Sequence, residues 1–186
     1  MSVFKRTRRG ITVMLDPVEA TVLTQVMNEM SELIGPGPAA ADGEAWAREL
    51  GLAGLGQPDA APPRPKDPIR ARLFPDAYTG DPAAAEDFRR FTEADLRAAK
   101  FANATALRDS LPAGGGSLVL DDEASRAWLG ALNDARLALG TALDVDQNTY
   151  DELVTLQVDE PRAQRLRVYL WLGELQDSLL QALMGD

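Results

Sequence analysis

"GITVMLDPVEATVLTQVMNEMSELIGP" (residues 10–36) decides the fold. Its first half, Ile11 to Leu15, is rich in β-branched residues and reads as a strand. The next four residues change the grammar. Asp16 stands at a helix N-cap, Pro17 at the first helical position and Glu19 where a capping box places its acid. Val18, Val22, Val26, Met30 and Leu33 then recur at helical spacing, with Leu23, Met27 and Ile34 widening the stripe, and Gly35 and Pro36 end it. A strand leading directly into a capped helix predicts a mixed fold.

Upstream, "VFKRTRRG" supplies a second short strand, and Arg8, Arg9 and Gly10 supply the turn, so an N-terminal β-hairpin is expected. Downstream, "GGGSLVLDD" turns into a strand near 117–120, after which Asp121 or Asp122 caps a helix whose stripe is Ala124, Trp128, Leu132, Ala135, Leu139 and Leu143. The units "VMLDPVEATVLTQVMNEM" and "LVLDDEASRAWLGALNDA" repeat this grammar 105 residues apart, which either duplication or shared capping chemistry produces. Asp81 and Pro82 open a further helical stretch that reaches Pro112, with a second cap and kink expected at Thr92. A last helix starts near Pro161 with the stripe Leu166, Leu170, Leu175, Leu179 and Leu183, and Tyr169, Trp171 and Leu172 widen its apolar surface. The expected class is therefore mainly α (α+β): a helical bundle with a small antiparallel sheet formed by the hairpin and the strand near 117–120. One domain spanning 1–186 is expected, carrying a flexible Gly, Pro and Ala-rich insertion at about 35–68. That insertion holds one helical candidate around Trp46 and Leu50, and 54–65 reads as flexible.

Composition excludes much chemistry. The chain has no cysteine and no histidine, which removes disulfides, thiolate metal sites and the commonest general base. Ser117 lacks both a G-x-S-x-G setting and a histidine to activate it. "DVDQNTYDELVT" starts like a calcium loop with Asp144, Asp146 and Asn148. Thr149 then stands where glycine is needed and Thr155 where a bidentate glutamate is needed, so it reads as a solvated acidic connection. No enzyme, metal or cofactor is expected. No run approaches the roughly 18 apolar residues of a membrane span, and the basic start is no secretory signal, so a cytoplasmic protein without membrane contact is expected.

A net charge of -10 opposes general attraction to nucleic acid. The cations are nevertheless clustered: Lys5, Arg6, Arg8 and Arg9 in the hairpin, and Arg64, Lys66, Arg70 and Arg72 before the second helical stretch. Lys5, Arg6, Arg8, Arg9, Arg70 and Arg72 are thus the candidate contacts to DNA or a partner, against the plainer reading that they pair with the helices' own acids. In "RLFPDAYTGDP" (residues 72–82), Pro75 holds Phe74 extended and Leu73, Phe74 and Tyr78 flank a bend, which predicts an anchor docked on the helices.

The residues 10–34 with "DPIRARLFPDAYTGDPAAAEDFRRFTEADLRAAK", "AWLGALNDARLALGTALDV" and "YLWLGELQDSLLQAL" together resemble an actinobacterial family of about this length. Its members carry a domain of unknown function, their genes commonly neighbour that of the ClpS proteolysis adaptor, and they are described as transcriptional regulators linked to oxidative stress. The residues matching its most specific segments are Arg72, Leu73, Pro75, Asp76, Ala77 and Tyr78, then Trp128, Leu132, Asn133, Arg136, Leu137 and Leu139. None has an established catalytic role, and a cysteine switch cannot operate in a chain without a thiol. The resemblance implies a stress-linked regulator of transcription. Its partner would be RNA polymerase, a sigma factor or DNA; the alternative is an interaction module of Clp-dependent proteolysis binding Clp components. The strand-to-helix entry at Ile11 is similar to that of some winged-helix domains, yet the Gly and Pro linker follows where a recognition helix is needed. Asn133 and Arg136 share a helical face that could meet DNA, and the neighbouring Asp134 argues for a buried polar clamp. The broad apolar surface of the last helix points to a homodimer.

Overall fold

A computed structural model describes residues 3–36, 63–78 and 80–185. Three strands, β1 (Lys5–Thr7), β2 (Gly10–Leu15) and β3 (Gly116–Leu120), form an antiparallel sheet in the order β1-β2-β3. Among the described residues six helices accompany it: α1 (Pro17–Ile34), α2 (Pro68–Leu73), α3 (Pro82–Ser110), α4 (Asp122–Ala142), α5 (Thr149–Thr155) and α6 (Pro161–Met184). The expected class, mainly helical with a small sheet, is what the chain adopts. The helical candidate around Trp46 and Leu50 lies outside the described residues, as does most of the 35–68 insertion.

The hairpin turns on Arg8 and Arg9, with Thr7 paired to Gly10. Gly10 belongs to the strand and sits at φ 128°, where a Cβ would come within 2.3 Å of the Leu120 carbonyl oxygen of β3. Only glycine lets β3 approach there. β2 alternates as a half-buried strand must: Ile11, Val13 and Leu15 point into the core, and Met14 points out. Pairing of Val13 with Leu118 and Ile11 with Leu120 places β3 in the same register.

Asp16 accepts from the Val18 and Glu19 amides, and the Glu19 carboxylate accepts from the Asp16 amide at 2.9 Å, completing the capping box. Asp121 caps α4 through the Ala124 amide at 2.8 Å. The two strand-aspartate-helix units thus share a conformation, and their strands pair antiparallel to each other.

The core collects Phe4, Ile11, Val13 and Leu15 from the sheet, Leu23, Met27 and Ile34 from α1, Trp128, Leu132 and Ala135 from α4, and Leu172, Leu175 and Leu179 from α6. Fully buried Trp128 meets the Phe4 ring edge-on at 5.8 Å and donates its indole N–H to Ser110 Oγ at 2.9 Å, so one side chain joins sheet, α3 and α4.

Four expectations are corrected. The break at Thr92 does not occur: α3 is one helix of 29 residues, and Thr92 Oγ1 donates to the Phe88 carbonyl within it instead of capping. The α1 core face is Leu23, Met27, Met30 and Ile34, while Val18 is exposed and Val22 and Val26 are half-buried. On α6, Leu172 replaces Leu170 in the buried stripe, because Tyr169 and Leu170 turn toward the α4–α5 connection. The acidic stretch 144–155 folds its second half into α5, with Asp146 accepting from the Asn148 amide and the Thr149 hydroxyl.

Candidate functional site

The structure does not assemble the six candidate cations into one patch. Arg6 is committed to the fold: its Nε donates to the Ala182 carbonyl at 3.0 Å and an NH2 to that of Leu183 at 3.2 Å. A guanidinium on the last carbonyls of α6 satisfies orphan acceptors and complements the negative end of the helix. Lys5, Arg8 and Arg9 stay exposed, and among the described residues they form no ion pair. Arg70 and Arg72 lie exposed in the last turn of α2, whose Ile69 faces Ala135, Ala138 and Ala142. That half of α4 pairs antiparallel with the middle of α6, as Arg136 to Gln176 and Gly140 to Tyr169 record. The hairpin sits at the opposite, C-terminal end of α6. Roughly 15 Å of helix therefore separates the two basic groups, beyond a Debye length at physiological salt.

The 72–78 segment is tied down throughout. Leu73 and Phe74 are buried, and the Arg97 guanidinium lies 4.4 Å over the Phe74 ring. Arg97 also donates to the Ile34 carbonyl at the end of α1 and to Glu93 at 2.8 Å. Asp76 accepts from Arg89 of α3 and pairs with Arg64 at 3.2 Å. Tyr78 meets Phe88 edge-on at 6.0 Å. Phe74, Asp76 and Tyr78 are each engaged by a side chain of α3, while Arg72, Pro75 and Ala77 stay exposed, which is the geometry of an anchor held at three points.

Asn133 and Arg136 face α6. Arg136 donates to Gln176 Oε1 at 2.8 Å and lies 5.5 Å over the Tyr169 ring, and Gln176 reaches the Asn133 amide oxygen at 3.5 Å. Gly173 makes this possible, since a Cβ there would meet the guanidinium at 3.3 Å. On the other side of α4, buried Asp134 pairs with Lys100 of α3 at 2.5 Å. Below Arg136, Arg162 bridges Glu152 of α5 and the Leu143 carbonyl at the end of α4. That contact holds the Glu152 carboxyl below its ordinary range, as the Asn148 amide does for Asp146. Among the described residues no group of three or more acidic side chains is arranged to hold a metal, and no helix is long and apolar enough to cross a membrane.

An apolar groove lies beside α1. A cavity of about 440 Å³ is lined by Val22, Val26, Leu139, Pro161 and Val168, with Gln25, Glu29, Gln164 and Arg165 at its polar rim. A second, of about 140 Å³, shares Val26, Glu29 and Leu139 and continues past Met30, Leu33 and Ile69. Together they make one apolar channel between α1 and α6, with α4 as its floor and α2 closing one end. Nothing in the sequence separates Val22, Val26 and Leu33, which line it, from the rest of the α1 apolar stripe. The available signal was the double stripe on α1, too wide for one buried face.

Fold and surface define a mainly helical domain with a three-stranded sheet and an open interhelical groove. The chain belongs to the family described as "Domain of unknown function (DUF2017)", whose model matches residues 1–183. It is similar to a Mycobacterium leprae protein, 37% identical over 135 residues. Relatives in Mycobacterium bovis and Mycobacterium tuberculosis, each named oxidative stress regulator AosR, are 35% identical over 136 residues. These matches cover 66% of this chain and 61% of each relative. No solved structure matches the chain.

Proposed function

We propose that this chain is a non-enzymatic regulatory protein of the oxidative stress response that acts on transcription by docking a protein partner in the groove between α1 and α6. The observation that carries the reading is the valine stripe of α1. Val22 and Val26 repeat at helical spacing yet remain half-buried over Leu139, Val168 and Pro161. An apolar channel with a polar rim suits the ridge of an amphipathic helix whose anchors recur at i, i+4 and i+7. The names of the mycobacterial relatives supply the stress link.

Local DNA contact by the hairpin has less support. With Arg6 bound to α6, the hairpin offers Lys5, Arg8 and Arg9, and three cations on a chain of net charge -10 make a small footprint. The partner classes to distinguish are RNA polymerase or a sigma factor on one side and Clp components on the other.

A tagged full-length chain, a Val22→Glu/Val168→Glu variant and an Arg8→Glu/Arg9→Glu variant, each with helicity and melting checked, are used to capture proteins from a native lysate with and without nuclease. The groove reading expects transcription proteins on wild type and on the hairpin variant, and their loss from the groove variant. Nuclease-sensitive capture lost only from the hairpin variant would replace it with direct DNA contact, and Clp components alone would move the function to proteolysis.

A further inference from the structure

Four methionines fall within the described residues, in three environments. Met14 and Met184 are 63% and 72% exposed, Met27 has no exposure, and Met30 is 5% exposed. Met30 differs from Met27 in one respect that matters chemically: it lines the 140 Å³ end of the groove, which communicates with solvent. A molecule the size of two waters can reach it there. Its surroundings are Val26, Leu33, Ile69, Ala135, Ala138, Leu139 and Ala142, with Glu29 as the one polar neighbour. None of these side chains carries an N–H or O–H donor.

We propose that Met30 is an oxidisable site through which peroxide loosens α2 from the bundle. The proposal rests on the stress-linked reading above and gives it a chemical sensor in a chain without thiols. In the step, the thioether sulfur attacks one peroxide oxygen as the O–O bond breaks. Sulfur gives up two electrons and becomes the sulfoxide, and the other oxygen leaves as water, taking the proton of the oxygen transferred. The product places a strong acceptor among apolar side chains and beside a carboxylate, where no side chain donates to it and only water entering the narrow cavity can.

The economical relief is at α2. This helix is only six residues long, and its half-buried Ile69 lines the same cavity as Met30 from outside the α1–α4 pair. Lifting Ile69 widens the cavity, so that more water hydrates the new oxygen. Phe74 remains held by Arg97 and Leu73 stays buried in the core, so the movement is confined to the N-terminal side of that anchor. Oxidation at Met14 or Met184 puts its oxygen on an exposed side chain, where water hydrates it. Among the methionines of the described residues, Met30 is the one that is buried and also lines a cavity open to solvent.

The test treats the full chain with graded hydrogen peroxide, maps sulfoxide by peptide mass spectrometry and follows amide hydrogen exchange over 68–73. Met14 and Met184 are expected to oxidise first, Met30 next, and Met27 only on unfolding. Exchange over 68–73 should rise about tenfold with the Met30 sulfoxide, the factor for one buried polar oxygen left short of its hydrogen bonds. Methionine sulfoxide reductase should reverse the rise. Met30→Leu should abolish it, and a Met14→Leu/Met184→Leu variant should keep it. Met30 oxidising no sooner than Met27, or an equal rise in Met30→Leu, would overturn the proposal. These readouts need no partner, so they can fail while the groove reading stands, and succeed while it falls.

Discussion

Replacing Asp134 by asparagine removes the charge that faces Lys100 while keeping the shape of the side chain. The two side chains are 6% and 15% exposed, so the pair is desolvated, and among the described residues neither partner forms a second ion pair. Breaking a buried pair costs about 3–5 kcal/mol because the surviving charge is left uncompensated. Lys100 keeps a little solvent contact and the new amide still accepts one hydrogen bond, which puts Asp134→Asn near ~3 kcal/mol. With a urea slope of about 2 kcal/mol/M, the midpoint should fall by about 1.5 M. The double variant Lys100→Met/Asp134→Leu removes both charges and fills the space with apolar atoms. It should unfold within about 1 kcal/mol of wild type, since an apolar replacement of a buried pair is close to neutral. Urea unfolding followed by tryptophan fluorescence reads both, as Trp128 lies on the same helix. A loss below about 1 kcal/mol for Asp134→Asn would mean that the pair behaves as an exposed one, and the burial argument for α3 on α4 would fail.

Other outcomes follow from the same geometry. Arg6→Met should cost about 1–2 kcal/mol and raise hydrogen exchange in the last turn of α6, whereas Arg8→Ala/Arg9→Ala should stay within about 0.5 kcal/mol in thermal melts. Gly10→Ala meets both a positive φ and the Leu120 carbonyl, and should cost about 3 kcal/mol, seen as loss of the β2–β3 amide protection. The depressed carboxyls of Asp146 and Glu152 stabilise the α5 region above their unfolded values, near 4, and that stabilisation is lost as pH falls through the lower folded values. The Asn148 and Thr149 amide signals should therefore hold steady down to the ordinary carboxylate range and shift below it.

Much of the fold was legible because capping chemistry is local. Asp16 with Glu19, Asp81 with Pro82 and Asp121 each mark a helix start with the residues that make the hydrogen bonds, and the hairpin and β3 follow from β-branched runs beside glycine. Thr92 shows the limit of that logic. A threonine with an acid three residues later matches a cap, yet a continuing helix lets its hydroxyl bond back to Phe88 at lower cost. The faces of α1 and α6 were hidden for a different reason. Both helices are apolar on more than one side, and only the position of α4 decides which side is buried. Arg6 reads as one of four hairpin cations until the fold brings the end of α6, 176 residues away, into reach. The anchor at 72–78 was readable from Pro75 and its apolar neighbours, while its arginine partners on α3 were not.

Docking of a protein partner in the groove beside α1 is open to site-specific photo-crosslinking in living cells, with the photoreactive residue placed singly at Val22 or Val168 in the groove, at Val119 on the sheet face and at Arg8 on the hairpin. A partner in the groove gives a discrete protein adduct from Val22 and Val168 that Val119 and Arg8 do not give. Adducts confined to Arg8, or to nucleic acid, would refute groove docking.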